Sequence, residues 1–265
     1  MQEYLLKTYS RKNVLFKKGD GIWLYSDSGD KFLDCASGIA VNILGHCNKK
    51  LVKVLTEQAK NLWHTSNLYR VENQEKLAKL LVENTFADKV FFSNSGNEAN
   101  EAAIKLARKY YFDQKKPEKH EIIVFTKAFH GRSMLNITAG DSEIQKTGFG
   151  PLLKGFKRAT FNDLKSVKKV INKKTAAIFV EPILGESGII RAENPFLEGL
   201  RKLANDNDCL LIFDEVQSGI GRTGTLMAYM GYGVKPDIST LAKGLGGGIP
   251  VSYTHLRAHE TDSYL

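Results

Sequence analysis

The sequence predicts an α/β protein, with a mostly parallel sheet flanked by helices and an N-terminal segment before it. Three observations support this fold class. Short apolar runs alternate with amphipathic stretches from residue 86 onward, most of these runs are apolar without interruption, and the first 85 residues follow a different, hairpin-like pattern. Strands buried on both faces of a parallel sheet are continuously apolar because neither face meets water.

The spacing of apolar residues predicts the elements in chain order. Residues 19–30 alternate and turn like an antiparallel hairpin, and helical spacing follows over 50–63 and 72–82. Strands are predicted in five runs, at 90–92, 122–125, 176–180, 210–213 and 237–240. Helical spacing returns over 97–111 and 196–204, so helices can cover both faces of the sheet.

Composition excludes several classes of protein. The 265 residues are 42% hydrophobic, which is enough for a sizeable core and excludes intrinsic disorder. The net charge of +9 comes from 38 Lys and Arg against 29 Asp and Glu, but the paired lysines lack interleaved aromatic residues, which favours solvated helix faces over a nucleic-acid surface. No signal peptide and no run of roughly 18 apolar residues is visible, so a cytoplasmic protein that does not enter the membrane is expected.

Cysteine and histidine spacing argues against a metal centre. Cys35, Cys47 and Cys209 form no CxxC pair, so neither a disulfide framework nor a structural zinc site is expected. His255 and His259 are four residues apart but lack the glutamate of an HExxH motif. The sequence therefore predicts a protein of a reducing compartment without a bound metal.

Ligands of open α/β sheets bind beyond the carboxyl ends of the strands, so the residues after each apolar run are the first candidates for a site. After 90–92, a polar turn containing Gly96 and Asn97 opens directly into a helix. Free N–H groups and the positive end of the helix dipole make such a turn suitable for phosphate. A capping box formed by Ser95 and Glu98 is the alternative interpretation.

Three further strand ends carry charged residues. The turn from Phe129 to Arg132 follows the second strand; either His130 is a base and Arg132 a carboxylate ligand, or the turn is structural. Glu181 and Glu186 follow the third strand, either as an acid/base pair or as surface acids. Asp214 ends the fourth strand, where burial of a carboxylate is costly without a cationic partner.

Two glycine-rich stretches lie nearer the C-terminus. Residues 219–224 fit GxGxxG, but a polar segment separates them from the preceding strand and no strand ending in an acid follows at about 20 residues, so no dinucleotide site is predicted. Lys243 stands among small residues in LAKGLGGG, where a flat ligand can lie against its amine.

These parts, taken together and in this order, are the ones needed to hold pyridoxal phosphate. The chain resembles the class III, fold type I, pyridoxal-phosphate-dependent aminotransferases, and within them the acetylornithine branch. The resemblance covers residues 1–251 and is carried by GDGIWLYSDSGDKFLDCASGIAVNILGH, FFSNSGNEANEAAIKLAR, AFHGRSMLNITA, EPILGESGI, IFDEVQSGIGRTG and LAKGLGGGIP. It implies that the α/β domain is a fold type I large domain.

The resemblance also implies roles for individual residues. Lys243 would attach covalently to the cofactor aldehyde and then move the substrate proton, while Asp214 would pair with the pyridine nitrogen. The other cofactor contacts would come from the backbone of Gly96 and Asn97, the ring of Phe129, the side chain of Gln217 and, less directly, Glu215 and Val216. Arg132 would bind a substrate carboxylate, and Glu186 would lie near the distal amino group or pair with an arginine. The family commonly has Thr or Ala in place of Asn97, a change that a backbone contact tolerates.

The activity implied is transfer of the amino group of N2-acetylornithine to 2-oxoglutarate, in arginine biosynthesis, by a homodimer whose partners are amino acid and 2-oxo acid substrates. Ornithine, 4-aminobutyrate and succinyldiaminopimelate aminotransferases and a glutamate-semialdehyde aminomutase are alternatives within the class. An inactive truncated chain is the alternative outside it.

The predicted organisation has three parts: an N-terminal segment at 1–85, an incomplete cofactor-binding large domain at 86–251 and a tail at 252–265 outside the family. The tail, SYTHLRAHETDSYL, has no apolar period. We expect a C-terminal small domain to be missing, together with a phosphate-contacting Ser or Thr from a neighbouring subunit and an arginine for the α-carboxylate. The chain as given is therefore expected to bind pyridoxal phosphate weakly and not to transaminate.

Overall fold

A computed structural model of the chain describes residues 4–249 and 252–256. Within these residues, the chain up to Trp63 forms one compact unit and the chain from His64 onward forms another. The division thus falls earlier than the predicted boundary at residue 85. The reason is that Leu81, on a helix before that boundary, is buried in the core of the second unit. None of the helices described is long and apolar enough to cross a membrane.

The first unit contains a three-stranded antiparallel meander followed by helical segments. Its elements are β1 (Phe16–Asp20), β2 (Trp23–Ser26), β3 (Lys31–Leu33), the single turn α1 (Ser37–Ala40) and α2 (Lys49–Asn61). The meander contains the hairpin that the alternation predicted. Asn48 caps α2, because its side chain accepts a hydrogen bond from the N–H of Lys50 at 3.0 Å.

The second unit is built on a sheet of seven strands in the described residues. From edge to edge they are β4 (Lys89–Ser93), β12 (Ser252–Leu256), β11 (Ile238–Leu241), β10 (Leu210–Asp214), β7 (Thr175–Val180), β5 (Glu121–Phe125) and β6 (Phe156–Ala159). Strand β12 is antiparallel to both of its neighbours, and the other adjacent strands are parallel. Two short strands, β8 (Ile183–Leu184) and β9 (Ile190–Arg191), form a separate ribbon.

Helices cover both faces of this sheet. They are α3 (Glu72–Asn84), α4 (Gly96–Asp113), α5 (Met134–Ala139), α6 (Glu143–Lys146), α7 (Leu164–Val170), α8 (Asn194–Asp206) and α9 (Ala228–Tyr232). Alternate residues of the strands enter two apolar clusters, so Ile122 packs in the cluster of α4 while Ile123 packs in the cluster of α8. The predicted mostly parallel sheet between helices is confirmed.

Two strands of the sheet were not predicted, for different physical reasons. Strand β6 lies at the edge with a single neighbour, so FKRA needs no continuous apolar run. Strand β12 has the polar sequence SYTHL, and its buried Thr254 satisfies its hydroxyl by donating to the carbonyl of Ala99 at 2.9 Å. Residues 252–256 of the expected tail therefore lie inside the sheet, and the rest of the tail is outside the described residues.

Arg158 on β6 fixes the segment that links β5 to α5. Its guanidinium donates to four backbone carbonyls, those of Phe125 at 2.8 Å, Thr138 at 3.1 Å, Ala139 at 3.2 Å and Gly140 at 2.6 Å. Three of these carbonyls belong to the C-terminal end of α5, where a positive charge also complements the helix dipole. One side chain thus holds the end of a strand against the end of a helix.

Replacing Arg158 by methionine is expected to lower the free energy of unfolding by about 3 kcal/mol, because several buried carbonyls lose their donors while the apolar stem is kept. Urea unfolding followed by circular dichroism measures this loss. The matched control is Lys157→Met on the same strand. The Lys157 side chain is 46% exposed, and its Nζ makes a long ion pair with Glu121 Oε1 at 3.8 Å. Equal stabilities of the two variants would contradict the role of Arg158.

Candidate active site

Asp214 is the last residue of β10, and its carboxylate is buried at the carboxyl end of the sheet. It accepts hydrogen bonds from Asn100 Nδ2 at 2.8 Å, His130 Nδ1 at 2.8 Å and the N–H of Val216 at 3.0 Å. These donors fix the direction in which the carboxylate oxygens point. Such a group can hold a proton on a cationic nitrogen placed against it.

The groups around Asp214 form a rigid support. The carboxamide of Asn100 also donates to the carbonyl of His130 at 2.7 Å and accepts from the hydroxyl of Thr240 at 2.7 Å. The His130 ring is fully buried and stacks on Phe179 with centroids 4.0 Å apart. The sequence analysis considered His130 either as a base or as part of a structural turn. In the structure its role is to support Asp214, through the hydrogen bond from Nδ1 to the carboxylate. Asn100 and Thr240 were not singled out.

Lys243 follows β11, the strand beside β10, and begins a 3-10 turn at Lys243–Gly246. Its φ of 44° lies in the left-handed region, which is unusual for a residue with a side chain. Burial lowers the pKa of the Lys243 amine, while the carboxylates of Asp214, Glu181 and Glu186 act in the opposite direction. A lowered pKa favours the neutral amine, which is the nucleophilic form.

Glu181 follows β7 and is buried beside these groups. Its carboxylate accepts from the N–H of Phe129 at 2.8 Å and from the N–H of Gly185 at 3.3 Å. Burial, together with the charge of Asp214, raises the pKa of Glu181 to about 8. The predicted strand-end acid therefore lies in the interior and fixes the backbone that carries Phe129.

The raised pKa of Glu181 predicts a pH dependence of stability. Because the pKa rises from 4.5 to about 8 on folding, the stability that protonated Glu181 contributes is fully present below pH 4.5 and is lost as the pH rises to about 8. Glu181→Gln should therefore flatten the fall in the free energy of unfolding across this window, measured by urea unfolding at a series of pH values. Burial also raises the pKa of Glu215, to about 7, so some of the slope should remain.

The control for this prediction is Glu198→Gln, which changes an exposed glutamate on α8. This variant should keep the slope of the parent chain. An unaltered slope in Glu181→Gln would show that Glu181 is ionised in the folded state over the whole window.

The start of α4 lies at the end of β4, where the sequence analysis considered a phosphate site or a helix cap. Ser95 caps the helix by accepting from the N–H of Glu98 at 3.3 Å, and the Glu98 carboxylate accepts from the Ser95 hydroxyl at 3.0 Å and from the N–H of Asn94 at 2.9 Å, a variant of the predicted capping box. Gly96, the first residue of α4, packs against Val216, and a Cβ built on Gly96 would lie 2.7 Å from Val216 Cγ1. Only glycine lets the helix N-terminus come this close to the segment after Asp214.

Phe129 and Arg132 lie in the turn between β5 and α5. Arg132 is exposed, and its guanidinium carbon is 5.9 Å from the centroid of the Phe129 ring. Gly131 separates the two side chains at a φ of 130°, a left-handed conformation that favours glycine. The turn thus presents an aromatic face and a cation side by side.

The side chains of the three remaining candidate residues lie in different environments. Glu215 is buried and accepts from the N–H groups of Ala228 and, at 2.9 Å, Tyr229, so its carboxylate caps α9. Gln217 lies against Gly185, where an added Cβ would be 1.4 Å from Gln217 Oε1. Glu186 is exposed, and its charge acts on Lys243.

The residues fit pyridoxal phosphate on features of this structure alone. A helix N-terminus suits a phosphate and a buried anion suits a pyridinium nitrogen. An amine with a lowered pKa lies one strand away from that anion, on β11. In the described residues no group of three or more His, Cys, Asp or Glu side chains is placed to hold a metal ion.

Comparison with known proteins agrees with this combination of features. The family model described as Aminotransferase class-III matches residues 6–262. Acetylornithine aminotransferases of Agrobacterium fabrum and Rhodobacter capsulatus are each 51% identical over 247 residues, which are 93% of this chain. The chain spans 62% of the first relative and 63% of the second.

Solved structures show the same fold. An ornithine aminotransferase from Toxoplasma gondii superposes with a TM-score of 0.93 at 30% identity, over 97% of this chain and 62% of that one. Another structure of the Toxoplasma enzyme is described as having PLP at partial occupancy in its active site. An N-acetylornithine aminotransferase from Stenotrophomonas maltophilia gives a TM-score of 0.82 at 39% identity, over 94% of this chain and 63% of that one.

The family model extends through residues 252–256, which the sequence analysis set apart and the structure places in the sheet. The family model matches nearly the whole length of the sequence. The fold and the residues at the strand ends agree with this match. The chain belongs to the class-III aminotransferase family.

Proposed function

We propose that this protein is a pyridoxal-phosphate-dependent aminotransferase that moves the amino group of N2-acetylornithine to 2-oxoglutarate. The observation that carries the proposal is the placement of Asp214 and Lys243 at the ends of the neighbouring strands β10 and β11. Identity of 51% to acetylornithine aminotransferases supports the choice of donor. The homodimer and the cytoplasmic location stay predictions of the sequence.

The residues that would hold the cofactor come from four strand ends. The backbone N–H groups of Gly96 and Asn97 would bind the phosphate. Phe129 would cover one face of the pyridine ring, and Val216 would lie beside the start of α4. Gln217 would face the ring hydroxyl. The carboxylate of Glu215 is engaged by the backbone of α9, so we assign it support of this segment and no direct contact.

Pyridoxal phosphate supplies an aldehyde that takes up an amino group and a ring that withdraws electrons from the substrate Cα. Asp214 would hold a proton on the pyridine nitrogen, because its buried carboxylate is oriented by Asn100 and His130. Lys243 Nζ, whose pKa is lowered by burial, would give up and regain the proton that moves between the substrate Cα and the cofactor. Arg132 Nη groups pair with a carboxylate of the acceptor.

Ornithine is the second candidate for the amino donor, since an ornithine aminotransferase superposes on this chain with a TM-score of 0.93. Glu186, which is exposed and whose charge acts on Lys243, would attract the distal amino group that both donors carry. N2-acetylation leaves only the distal amine of ornithine cationic. A pocket that prefers the acetylated donor therefore needs an apolar or hydrogen-bonding neighbour for the acetyl group.

A two-part experiment tests the proposed function. The 265-residue chain, incubated with excess pyridoxal phosphate, should develop a visible absorbance band that neither free pyridoxal phosphate nor the Lys243→Ala chain with the same cofactor produces. The same chain, extended with the C-terminal part of an acetylornithine aminotransferase, should transaminate N2-acetylornithine faster than ornithine or 4-aminobutyrate in a coupled glutamate assay. Absence of the band contradicts the cofactor assignment, and a preference for ornithine replaces the donor.

A further inference from the structure

The 129–133 loop, between β5 and α5, carries Phe129 and Arg132 and is held by side chains from other elements. Glu181, after β7, takes the N–H of Phe129 at 2.8 Å. Asn100, on α4, donates to the carbonyl of His130 at 2.7 Å. The first half of the loop is therefore fixed by Glu181 and by Asn100, and Asn100 also donates to the carboxylate of Asp214.

The second half of the loop is held by the side chain of Asn97. Its Oδ1 accepts from the N–H of Arg132 at 2.8 Å and from the N–H of Ser133 at 3.0 Å. Asn136 Nδ2 donates to the same oxygen at 2.9 Å and to the Asn97 carbonyl at 2.8 Å. One amide oxygen thus gathers two consecutive backbone N–H groups and a side chain.

The loop is shaped around this oxygen. A Cβ added to Gly131 would lie 2.3 Å from Asn97 Oδ1, closer than atoms can approach, so the oxygen occupies the space that a side chain at 131 would take. Asn97 is the second residue of α4, next to Gly96 at the proposed phosphate site. Its side chain therefore connects the phosphate site to the backbone of Arg132.

We propose that the Asn97 side chain is a positioning residue, which fixes the backbone of Arg132 so that the guanidinium meets a substrate carboxylate while the Asn97 N–H remains available to phosphate. The proposal rests on the function proposed above for Arg132. It gives the side chain a role beyond the backbone contact that the resemblance implied. Of the two residues that the resemblance implies here, Ala has no side-chain acceptor, and the hydroxyl of Thr is one bond closer to the backbone than Asn97 Oδ1 and does not reach both N–H groups.

Amide hydrogen exchange of the cofactor-free chain tests this role without any activity measurement. In Asn97→Thr, which the family pattern tolerates, the amides of Arg132 and Ser133 should exchange about tenfold faster than in the parent chain, as expected for the loss of one hydrogen bond each. Asn97→Asp keeps an accepting oxygen at the same reach and should retain the protection. The amides of Ile123 and Val124 in β5 report on the rest of the fold and should be unaffected.

Unchanged exchange of Arg132 and Ser133 in Asn97→Thr overturns the proposal. Loss of protection in both Asn97→Thr and Asn97→Asp also overturns it, because the accepting oxygen is then not what matters. Loss in Asn97→Thr with retention in Asn97→Asp supports the part played by the accepting oxygen. In the chain extended with a family C-terminus, Asn97→Thr should also raise the KM for 2-oxoglutarate about tenfold while kcat changes less, and an unchanged KM overturns the positioning of Arg132. The exchange readings use no pyridoxal phosphate, so failure of the proposed function is seen separately, in the absorbance measurement and in the transamination by the parent chain.

Discussion

Replacing Lys243 by alanine is expected to abolish covalent attachment of pyridoxal phosphate and the visible absorbance band with it. Only an amine condenses with the cofactor aldehyde, and Lys243 is the lysine that follows β11 beside the buried carboxylate of Asp214. Some cofactor should remain bound through its phosphate at the start of α4. Borohydride reduction of the parent chain followed by peptide mapping should place the pyridoxyl label on Lys243.

Lys235→Ala is the matched control, since Lys235 is exposed and lies before β11 instead of after it. This variant should keep both the band and the label. A pyridoxyl label on any lysine other than Lys243, or a band of full intensity in Lys243→Ala, would contradict the assignment.

Asp214→Asn is expected to lower turnover by at least about a hundredfold, corresponding to several kcal/mol of transition-state stabilisation, while cofactor affinity falls much less. An uncharged amide cannot keep the pyridine nitrogen protonated. The amide also puts an N–H donor where Asn100 and His130 now donate to an oxygen. Turnover per folded molecule, measured in the chain extended with a family C-terminus, gives the comparison.

Asp237→Asn is the control for this change. Asp237 precedes β11 at the opposite end of the sheet, where its carboxylate pairs with Arg201 at 2.8 Å and accepts from the N–H of Leu211 at 2.7 Å. It should lose stability but keep its turnover per folded molecule. A turnover of Asp214→Asn within tenfold of the parent value is incompatible with the proposed role of Asp214.

Much of the sheet could be predicted because burial on two faces leaves a local record in the sequence. The run 176–180 lies within β7, whose six residues are all buried. The run 210–213 lies within β10, and the following Asp214 proved to be the last residue of that strand. Strand β12 left no such record, because its buried Thr254 is accommodated by a hydrogen bond to Ala99 and not by apolar packing.

The candidate site likewise contains residues that the sequence could predict and residues that it could not. Residue type and position after a strand were enough to single out Lys243, Asp214 and Gly96, and the roles assigned to them stay predictions until the measurements above are made. Asn100 escaped notice since it stands inside an ordinary helical pattern. Its contact with Asp214 spans 114 residues of chain, and no local spacing indicates it.

The sequence by itself determined the α/β class, the strand ends that carry chemistry and the family resemblance, because apolar periodicity and charged residues at strand ends are local properties. Only the tertiary structure decided what each polar side chain does. Glu215 caps α9, Glu181 and Asn97 hold the 129–133 loop, and His130 supports Asp214. The physical reason is that a buried polar group must find a hydrogen-bond partner, and folding brings that partner from a distant part of the chain.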